Sequence, residues 1–128
     1  MSAKIHSIII DCKNPNELSS FYAQILDWKP LPDSWCGLIS PNGERVEFQL
    51  DEGYIRPEWP SKPGSQGQMI HLDYYVDDLQ QSAAQAQKLG ATVSPTQFYE
   101  EYQCITMFDP EGHPFCLLQN PGSASSEE

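Results

Sequence analysis

The chain contains the same order of apolar and polar positions twice. An apolar stretch that includes one histidine spans residues 4–11, and a similar stretch spans residues 69–77. Apolar residues follow each stretch at helical spacing, which predicts a strand and then an amphipathic helix in each copy. The residues of the two apolar helix faces are Leu18, Phe21, Tyr22 and Ile25 in the first copy and Leu79, Ala83, Ala86 and Leu89 in the second.

Capping residues mark the ends of both predicted helices. Asn14 suits the N-cap of the first helix, Pro15 suits its first position, and Glu17 completes a capping box. Asp78 can cap the second helix, and Gly90 can end it in a left-handed conformation. The helices are therefore expected to begin at Pro15 and directly after Asp78.

Further strands are predicted after each helix, around a turn. The turns are Pro-Asn-Gly at 41–43 and Pro-Glu-Gly at 110–112, whose composition is typical of chain reversal. Alternating or continuous apolar residues flank each turn, as strands require. These predicted strands are residues 35–40, 45–50, 103–108 and 114–119.

The repeat defines modules of about residues 4–50 and 69–119 within a single domain that spans residues 1–128. The stretch 51–68 is rich in proline and glycine, which predicts an irregular linker. The tail, 121–128, is small, polar and acidic and is predicted to be disordered. One such module buries too little apolar surface to be stable alone, so we expect the two to share a core and enclose a concavity.

The charge balance excludes several classes of function. Of 128 residues, 18 are Asp or Glu and 7 are Lys or Arg, which gives a formal net charge of −11. Such a chain repels nucleic acid and anionic membranes, whereas a cationic small molecule would be attracted. No apolar run approaches the roughly 20 residues that span a bilayer, and the first residues lack a secretory pattern. We therefore expect a cytoplasmic protein.

The cysteines are expected to be free thiols, because disulfides are rare in the cytoplasm. They are Cys12, Cys36, Cys104 and Cys116, and no two of them form a Cys-x-x-Cys pair. Most of them should serve as small core residues, and a disulfide is the less favoured alternative.

The repeat also pairs potential metal ligands. His6 and His71 lie 65 residues apart at matching positions of the two copies. Glu47 and Cys116 each lie six residues after the proline of their turn, so they match as well. Two histidines and one carboxylate can bind a divalent metal ion and leave positions open. Cys116 would be a soft fourth ligand that favours zinc, and a buried core cysteine is the alternative interpretation.

Strand alternation selects candidate substrate-binding residues. Side chains point alternately to opposite sides of a strand, so polar residues between apolar ones face the concavity or solvent. Those on the side of Glu47 or His71 are Gln49, Asp73 and Tyr75. Trp59, in the linker, either covers the site or anchors the loop to the core. His113, in a turn, is expected on the surface.

Five segments of the chain together form a recognisable pattern. They are the His6 strand, Asn-Pro-Asn-Glu-Leu-Ser-Ser-Phe-Tyr at 14–22, Ile-His-Leu at 70–72 with Val-Asp-Asp-Leu at 76–79, Leu-Gly-Ala at 89–91, and Asp-Pro-Glu-Gly-His-Pro-Phe at 109–115. On these segments the chain resembles the vicinal oxygen chelate superfamily. That superfamily includes glyoxalase I, bleomycin resistance proteins, fosfomycin resistance proteins and extradiol dioxygenases. The resemblance covers residues 4–119 and identifies a glyoxalase-like domain.

The resemblance implies an α+β fold of two βαβββ modules that form a cupped mixed sheet, often completed as a homodimer. In members similar to glyoxalase I, the metal ligands come from the first and last strands of each module, which correspond here to His6, Glu47, His71 and Cys116. Glyoxalase I has a glutamate at the position of Cys116 that also serves as the catalytic base. Its replacement argues against lactoylglutathione lyase activity and leaves Glu47 as the candidate catalytic residue.

Three functions follow from the resemblance. The first is a metal-dependent lyase or isomerase that acts on a small substrate with vicinal oxygens and uses zinc, nickel, manganese or iron. The second is a binding protein of the bleomycin resistance type, without catalysis or a metal, that sequesters a small cationic ligand. Acidic charge and aromatic side chains favour this second function, and the aromatic candidates are Trp35, Trp59, Tyr74 and Tyr75. The third function is a dioxygenase. It is the least favoured, because dioxygenases of the superfamily draw their ligands from the second module, and Cys116 occupies the carboxylate position there.

Overall fold

The computed structural model describes residues 2–33 and 35–122. Its first half contains β1 (Ile8–Cys12), α1 (Pro15–Leu26), β2 (Lys29–Pro30), β3 (Gly37–Ile39) and β4 (Arg45–Leu50). Its second half contains β5 (Leu72–Val76), α2 (Leu79–Lys88), β6 (Thr92–Val93), a short 3₁₀ helix (Glu100–Tyr102), β7 (Cys104–Phe108) and β8 (Pro114–Gln119). Most of the tail that is predicted to be disordered, residues 123–128, lies outside the described residues.

The chain divides into two compact units, residues 1–55 and 56–128, and each unit carries one four-stranded sheet. The strand orders are β1-β4-β3-β2 and β5-β8-β7-β6. β1 is parallel to β4 and β5 is parallel to β8, whereas the other neighbours are antiparallel. These sheets confirm the α+β fold with two βαβββ modules. The cupped joining of the modules into one domain, and the linker at 51–68, stay predictions.

The first unit is built on the apolar face that the sequence predicts for α1. The helix residues that are buried are Leu18, Phe21 and Tyr22. Tyr22 stacks on Phe48 of β4, with 5.7 Å between the ring centroids, and burial of each such side chain contributes about 1.5–3 kcal/mol. The helix begins at Pro15 after Asn14, as predicted, although the Asn14 side chain makes no capping hydrogen bond.

In the second unit, α2 covers its sheet with a face of small residues. The buried helix residues are Leu79, Ala83 and Ala86. The Asp78 side chain accepts a hydrogen bond from the backbone N–H of Gln81, which confirms the predicted cap. Gly90 ends the helix with φ of 115°, a conformation that glycine adopts without a steric penalty. Neither helix of the described residues is both long and apolar enough to cross a membrane.

The outer edge of β7 is completed by a side chain. β6 extends along this strand only over Thr92–Val93. Beyond it, the Gln97 carboxamide donates a hydrogen bond to the backbone C=O of Thr106 and accepts one from its N–H, both at 2.9 Å. The Gln97 side chain therefore takes the place of a further strand residue and satisfies both backbone groups.

The first strand of each module begins later than the sequence predicts, at Ile8 and at Leu72. His6 and His71 therefore lie before the paired residues of their sheets. Apolar composition marks both stretches in the sequence, but a strand exists only where a neighbouring strand satisfies the backbone groups. The strand bounds at 45–50 and 114–119, where both neighbours are present, are confirmed.

Strand register corrects the equivalence between the modules. Ile9 faces Glu47 in the first sheet, and Asp73 faces Cys116 in the second. Glu47 and Cys116 are each the third residue of a six-residue strand, β4 and β8, which agrees with their predicted equivalence. Ile9 and Asp73 are 64 residues apart, so the predicted match of the two histidines, which are 65 residues apart, is wrong by one residue. Counting residues from the two turns aligns β4 with β8 correctly. It cannot detect that β1 and β5 are shifted by one residue relative to each other, because that shift is visible only in the strand pairing.

Gly37 allows β3 to approach β4 closely beside Glu47. A Cβ at this position would lie 2.5 Å from the carbonyl oxygen of Val46 and 2.9 Å from the Cα of Glu47. Gly37→Ala is therefore expected to lower the free energy of unfolding by about 1–3 kcal/mol, because backbone atoms would have to move apart. Urea denaturation measures the change. Gly53→Ala, whose Cβ would have its nearest neighbour at 3.5 Å, is the control, and equal stability of the two variants would contradict the close approach.

Candidate functional site

Three potential metal ligands converge in the second unit. His71, Asp73 and Cys116 each offer one ligand atom, and these atoms lie within 4.8 Å of one another. Asp73 on β5 faces Cys116 on β8, and His71 precedes Asp73 by two residues. The structure thus brings together two predicted metal ligands and one residue that the sequence suggests for substrate binding.

The cluster has a buried floor and an accessible rim. Cys116 is 1% exposed, whereas the side chains of His71 and Asp73 are 26% and 55% exposed. His71 Nε2 lies 3.3 Å from Asp73 Oδ1, which is within ion-pair distance for a protonated imidazole. A ligand from solvent would reach the imidazole and the carboxylate before the thiol.

The surroundings of Cys116 keep its thiol protonated. Burial raises the pKa of Cys116 to about 12, although the Thr106 hydroxyl, 3.3 Å from the sulfur, opposes this shift. Burial also raises the pKa of the Cys104 thiol. Because the thiolate is the form that binds metals, a cation would have to displace the proton of Cys116.

The donor set of the cluster fits a divalent transition metal. An imidazole nitrogen, a carboxylate oxygen and a thiolate sulfur are the ligands that zinc takes, at about 2.0–2.3 Å. Two such ligands on one tetrahedral ion lie about 3.3–3.7 Å apart, and His71 Nε2 and Asp73 Oδ1 are 3.3 Å apart. Three protein ligands would leave a fourth position for a substrate.

Trp59 lies against one side of the cluster. Its ring contacts His71 edge to face at 5.2 Å and Phe98 at 6.1 Å, and Phe98 contacts Tyr99 at 6.1 Å. We call Trp59, Phe98 and Tyr99 the aromatic wall. The Nε1–H of Trp59 is buried and has no hydrogen-bond partner among the described residues. Trp59 therefore contacts both the candidate site and the loop that carries Phe98.

The first unit contains the other two predicted ligands. His6 is exposed, and its Nδ1 lies 3.3 Å from Ser7 Oγ. The Glu47 side chain is 14% exposed, and its Oε2 lies 3.0 Å from Arg45 Nη2. Arg45 also pairs with Asp33 at 3.2 Å, and its hydrogen bond with Glu47 helps to raise the pKa of Arg45. Glu47, predicted as ligand and base, is thus engaged in an ion pair.

The other candidate residues differ in exposure. Gln49 and Tyr75 are exposed, and Trp35 is 67% exposed. Tyr74 is buried and contacts the ring of Phe115, with 6.4 Å between the centroids, and burial raises the pKa of its hydroxyl. The expectation that Tyr74 helps to bind a cationic ligand is therefore wrong, because this side chain belongs to the core.

The prediction that His113 lies on the surface is also wrong. His113 is 9% exposed, and its Nδ1 lies 2.9 Å from Asp109 Oδ2. The buried Asp109 carboxylate also accepts hydrogen bonds from the backbone N–H groups of Glu111 and His113. A turn can be buried when one carboxylate satisfies several of its donors in this way.

Sequence reasoning missed two residues next to the cluster. Thr106 faces Cys116 across β7 and β8, and Cys104, two residues before Thr106, points to the same side of the sheet. The register of β7 against β8 would have identified both. Composition alone could not, because threonine and cysteine are ordinary residues of a buried strand.

Comparisons with known proteins agree with this architecture. The family model of the glyoxalase-like domain matches residues 7–118. A search of curated proteins found no match. A solved glyoxalase/bleomycin resistance protein/dioxygenase family enzyme from Burkholderia phytofirmans PsJN aligns with a TM-score of 0.67 and 19% identity over 90% of this chain and 97% of that chain.

Two further solved structures have the same fold. The fosfomycin resistance protein FosX from Mesorhizobium loti aligns with a TM-score of 0.69 and 13% identity over 100% of both chains. The oxidase ChaP-H2 aligns with a TM-score of 0.66 and 19% identity over 94% of this chain and 96% of that chain. At such identities the likeness establishes the fold, and the activities for which these proteins are named differ from one another.

Proposed function

Because the chain belongs to the glyoxalase-like domain family, we propose that it is a metal-dependent lyase or isomerase for a small substrate with adjacent oxygens. The observation that supports this proposal is the convergence of His71, Asp73 and Cys116 within 4.8 Å. A divalent ion held by these residues would stabilise negative charge as it develops on the substrate oxygens.

The residues around the cluster would have separate roles. Cys116 would anchor the ion from the buried floor, and His71 would bind it from the rim. Asp73 would bind it beside His71, and the contact of His71 with Trp59 restricts the orientation of the imidazole. The aromatic wall would exclude water on that side and contact apolar parts of the substrate. Tyr75 would contact the substrate from the exposed side of β5.

Glu47 remains the proposed base, and His6 remains a ligand implied by the family resemblance. The contact of Glu47 with Arg45 at 3.0 Å holds the carboxylate in one orientation. A carboxylate oxygen of Glu47 would take the proton from the substrate. Gln49, two residues along the same strand, would contact the substrate on the same side.

Cys116→Glu tests the proposal, since it supplies the carboxylate that glyoxalase I has at this position. The variant, loaded with zinc or nickel, is expected to convert a hemithioacetal to a thioester about 10²–10⁴-fold faster than the wild type, because it gains a positioned general base. Ultraviolet absorbance follows the thioester.

Cys36→Glu is the control, because it adds the same carboxylate at another free cysteine that lies outside the cluster of His71, Asp73 and Cys116. A metal-loaded Cys116→Glu protein no faster than this control would contradict the proposed reaction geometry. A wild-type protein that retains none of zinc, nickel, manganese or iron after equilibrium dialysis would contradict the metal-dependent function altogether.

A binding protein of the bleomycin resistance type is the second candidate. The aromatic wall favours it, because Phe98 and Tyr99 are 50% and 40% exposed and are followed by the acidic Glu100 and Glu101. Aromatic faces beside carboxylates attract organic cations. Titration calorimetry with bleomycin would show saturable heat, reduced in Phe98→Ala, if this function is correct, and no heat if it is not.

The remaining expectations concern assembly and location. A homodimer is proposed from the family resemblance, and light scattering of the purified chain distinguishes it from a monomer. The absence of nucleic-acid and membrane partners is proposed from the acidic composition, with a formal net charge of −11, and the cytoplasmic location remains a proposal.

A further inference from the structure

We propose that Arg56 binds a carboxylate of the substrate, so that the substrate is a small acid with a carboxylate at some distance from its adjacent oxygens. This inference rests on the proposed metal site and names the class of molecule that the site takes. Arg56 belongs to the second unit, which also contains the cluster of His71, Asp73 and Cys116. The sequence pattern does not single it out, because Arg56 lies in the stretch that is predicted to be an irregular linker.

Arg56 lies on the side of the sheet that carries the cluster. Its guanidinium carbon is 5.3 Å from the centre of the Phe108 ring. Thr106 faces Cys116 across β7 and β8, and Phe108, two residues after Thr106, points to the same side of the sheet. Phe108 is therefore a diagonal neighbour of Cys116, at a Cα distance of about 7–8 Å. At this spacing one small molecule can contact both the guanidinium and the cluster.

The short segment 56–59 connects Arg56 to the cluster. Trp59 contacts the ring of His71 at 5.2 Å, while Arg56, three residues earlier, contacts Phe108. The Arg56 side chain is exposed and Phe108 is half-buried, so both are accessible to a molecule that enters from solvent. One segment therefore supplies an aromatic ring beside a metal ligand and a cation at the neighbouring strand.

The Arg56 side chain is held in place without the use of its hydrogen-bond donors. Its stem passes over Gly112, where a Cβ would lie 2.7 Å from the Arg56 Cγ, and its guanidinium lies over the Phe108 ring. It makes no hydrogen bond or ion pair with the residues that the structure describes. The other arginine of the chain, Arg45, pairs with two carboxylates. The N–H donors of Arg56 are thus positioned and available to a ligand.

A carboxylate fits this guanidinium better than a phosphate. The planar fork of arginine matches a carboxylate with two parallel hydrogen bonds. One guanidinium balances the charge of one carboxylate, whereas the second charge of a phosphate would be uncompensated in a chain with a formal net charge of −11. The adjacent oxygens of the same substrate would approach the accessible rim at His71 and Asp73. We therefore expect a 2-oxo or 2-hydroxy acid that carries a further carboxylate.

Two 2-oxo acids that differ in one group test the proposal by titration calorimetry. 2-Oxoglutarate and 2-oxopentanoate have the same adjacent oxygens and the same chain length, but only 2-oxoglutarate ends in a further carboxylate. The zinc-loaded wild type is expected to bind 2-oxoglutarate about 10–100-fold more tightly, because that carboxylate gains a charge-assisted contact. In Arg56→Gln this preference is expected to disappear.

Lys62→Gln is the matched control, because it removes the same charge from the same stretch of chain. Lys62 is exposed and pairs with Glu58 at 3.8 Å, and its loss is expected to leave the preference unchanged. A wild type that retains zinc but does not prefer 2-oxoglutarate, or an Arg56→Gln variant that keeps the preference, would overturn the role of Arg56 and leave the metal site intact. A wild type that retains no zinc would overturn both. Circular dichroism verifies that each variant is folded.

A second measurement observes the guanidinium directly in the zinc-loaded wild type. Because Arg45 and Arg56 are the arginines of the chain, a nitrogen–proton correlation spectrum assigns to Arg56 the Nε–H signal that is lost in Arg56→Gln. We expect 2-oxoglutarate to shift this signal and 2-oxopentanoate to leave it in place. A signal that responds to neither acid, or equally to both, would contradict a contact between Arg56 and the carboxylate.

Discussion

His71→Ala is expected to lower the affinity of the protein for zinc by more than about 100-fold. Even the outer partners of metal ligands contribute about 10–100-fold to affinity, so loss of a direct ligand should cost more. His71 is also the ligand through which Trp59 contacts the site. Competition with a chromophoric chelator measures the change, and unaltered affinity would remove His71 from the site.

His6→Ala tests whether His6 is a metal ligand, as the family resemblance implies, or lies outside the site. If the ligands are those of the second-unit cluster, zinc affinity should stay within a few-fold of the wild type, because the cluster does not contain His6. If His6 is a metal ligand, His6→Ala should lower the affinity for zinc as much as His71→Ala does. Asp73→Asn adds a third comparison, since the amide keeps a hydrogen-bonding oxygen but removes the charge.

Asp109→Ala is expected to lower the free energy of unfolding by about 3–5 kcal/mol, because it removes the acceptor of several buried hydrogen bonds, and each donor left unpaired costs about 1–3 kcal/mol. The carboxylate is fully buried and accepts hydrogen bonds from the ring of His113 and from two backbone N–H groups. Alanine would leave these donors buried without an acceptor. Urea denaturation with tryptophan fluorescence measures the loss.

Asp109→Asn is the matched control for this turn. The amide oxygen can still accept the backbone hydrogen bonds, whereas the charge opposite His113 is lost. We expect an intermediate loss of stability, roughly 1–3 kcal/mol. If Asp109→Ala were as stable as the wild type, the buried hydrogen bonds would contribute nothing to the fold.

The sequence predicts most of the architecture because the two modules repeat local signals. The helix start at Pro15, the Asp78 cap and the left-handed Gly90 each depend on a few neighbouring residues. The short strands β2 and β6 carry no such signal, since two residues show no periodicity. Alternation along β4 places Leu50 on the same side as the buried Val46 and Phe48, yet Leu50 is 54% exposed, because the end of a strand can extend beyond the helix that covers it.

The candidate site is less predictable, because it depends on contacts between distant strands. The repeat and the family resemblance identify His71 and Cys116. The sequence predicts that Asp73 contacts a substrate, and only the pairing of β5 with β8 places it opposite Cys116. Thr106 became a neighbour of the thiol only through the register of β7. Period-two alternation gives the side of a strand but not its partner.

The Gln97 side chain has a consequence for association between molecules. An unpaired strand edge is a template on which another chain can add, and proteins usually block such an edge with charge, proline or a longer neighbouring strand. Here the Gln97 carboxamide covers Thr106 together with the backbone N–H of Ser94, which also donates to the Thr106 C=O. Gln97→Ala would leave the Thr106 N–H without this acceptor and would uncover one position at which another chain could pair.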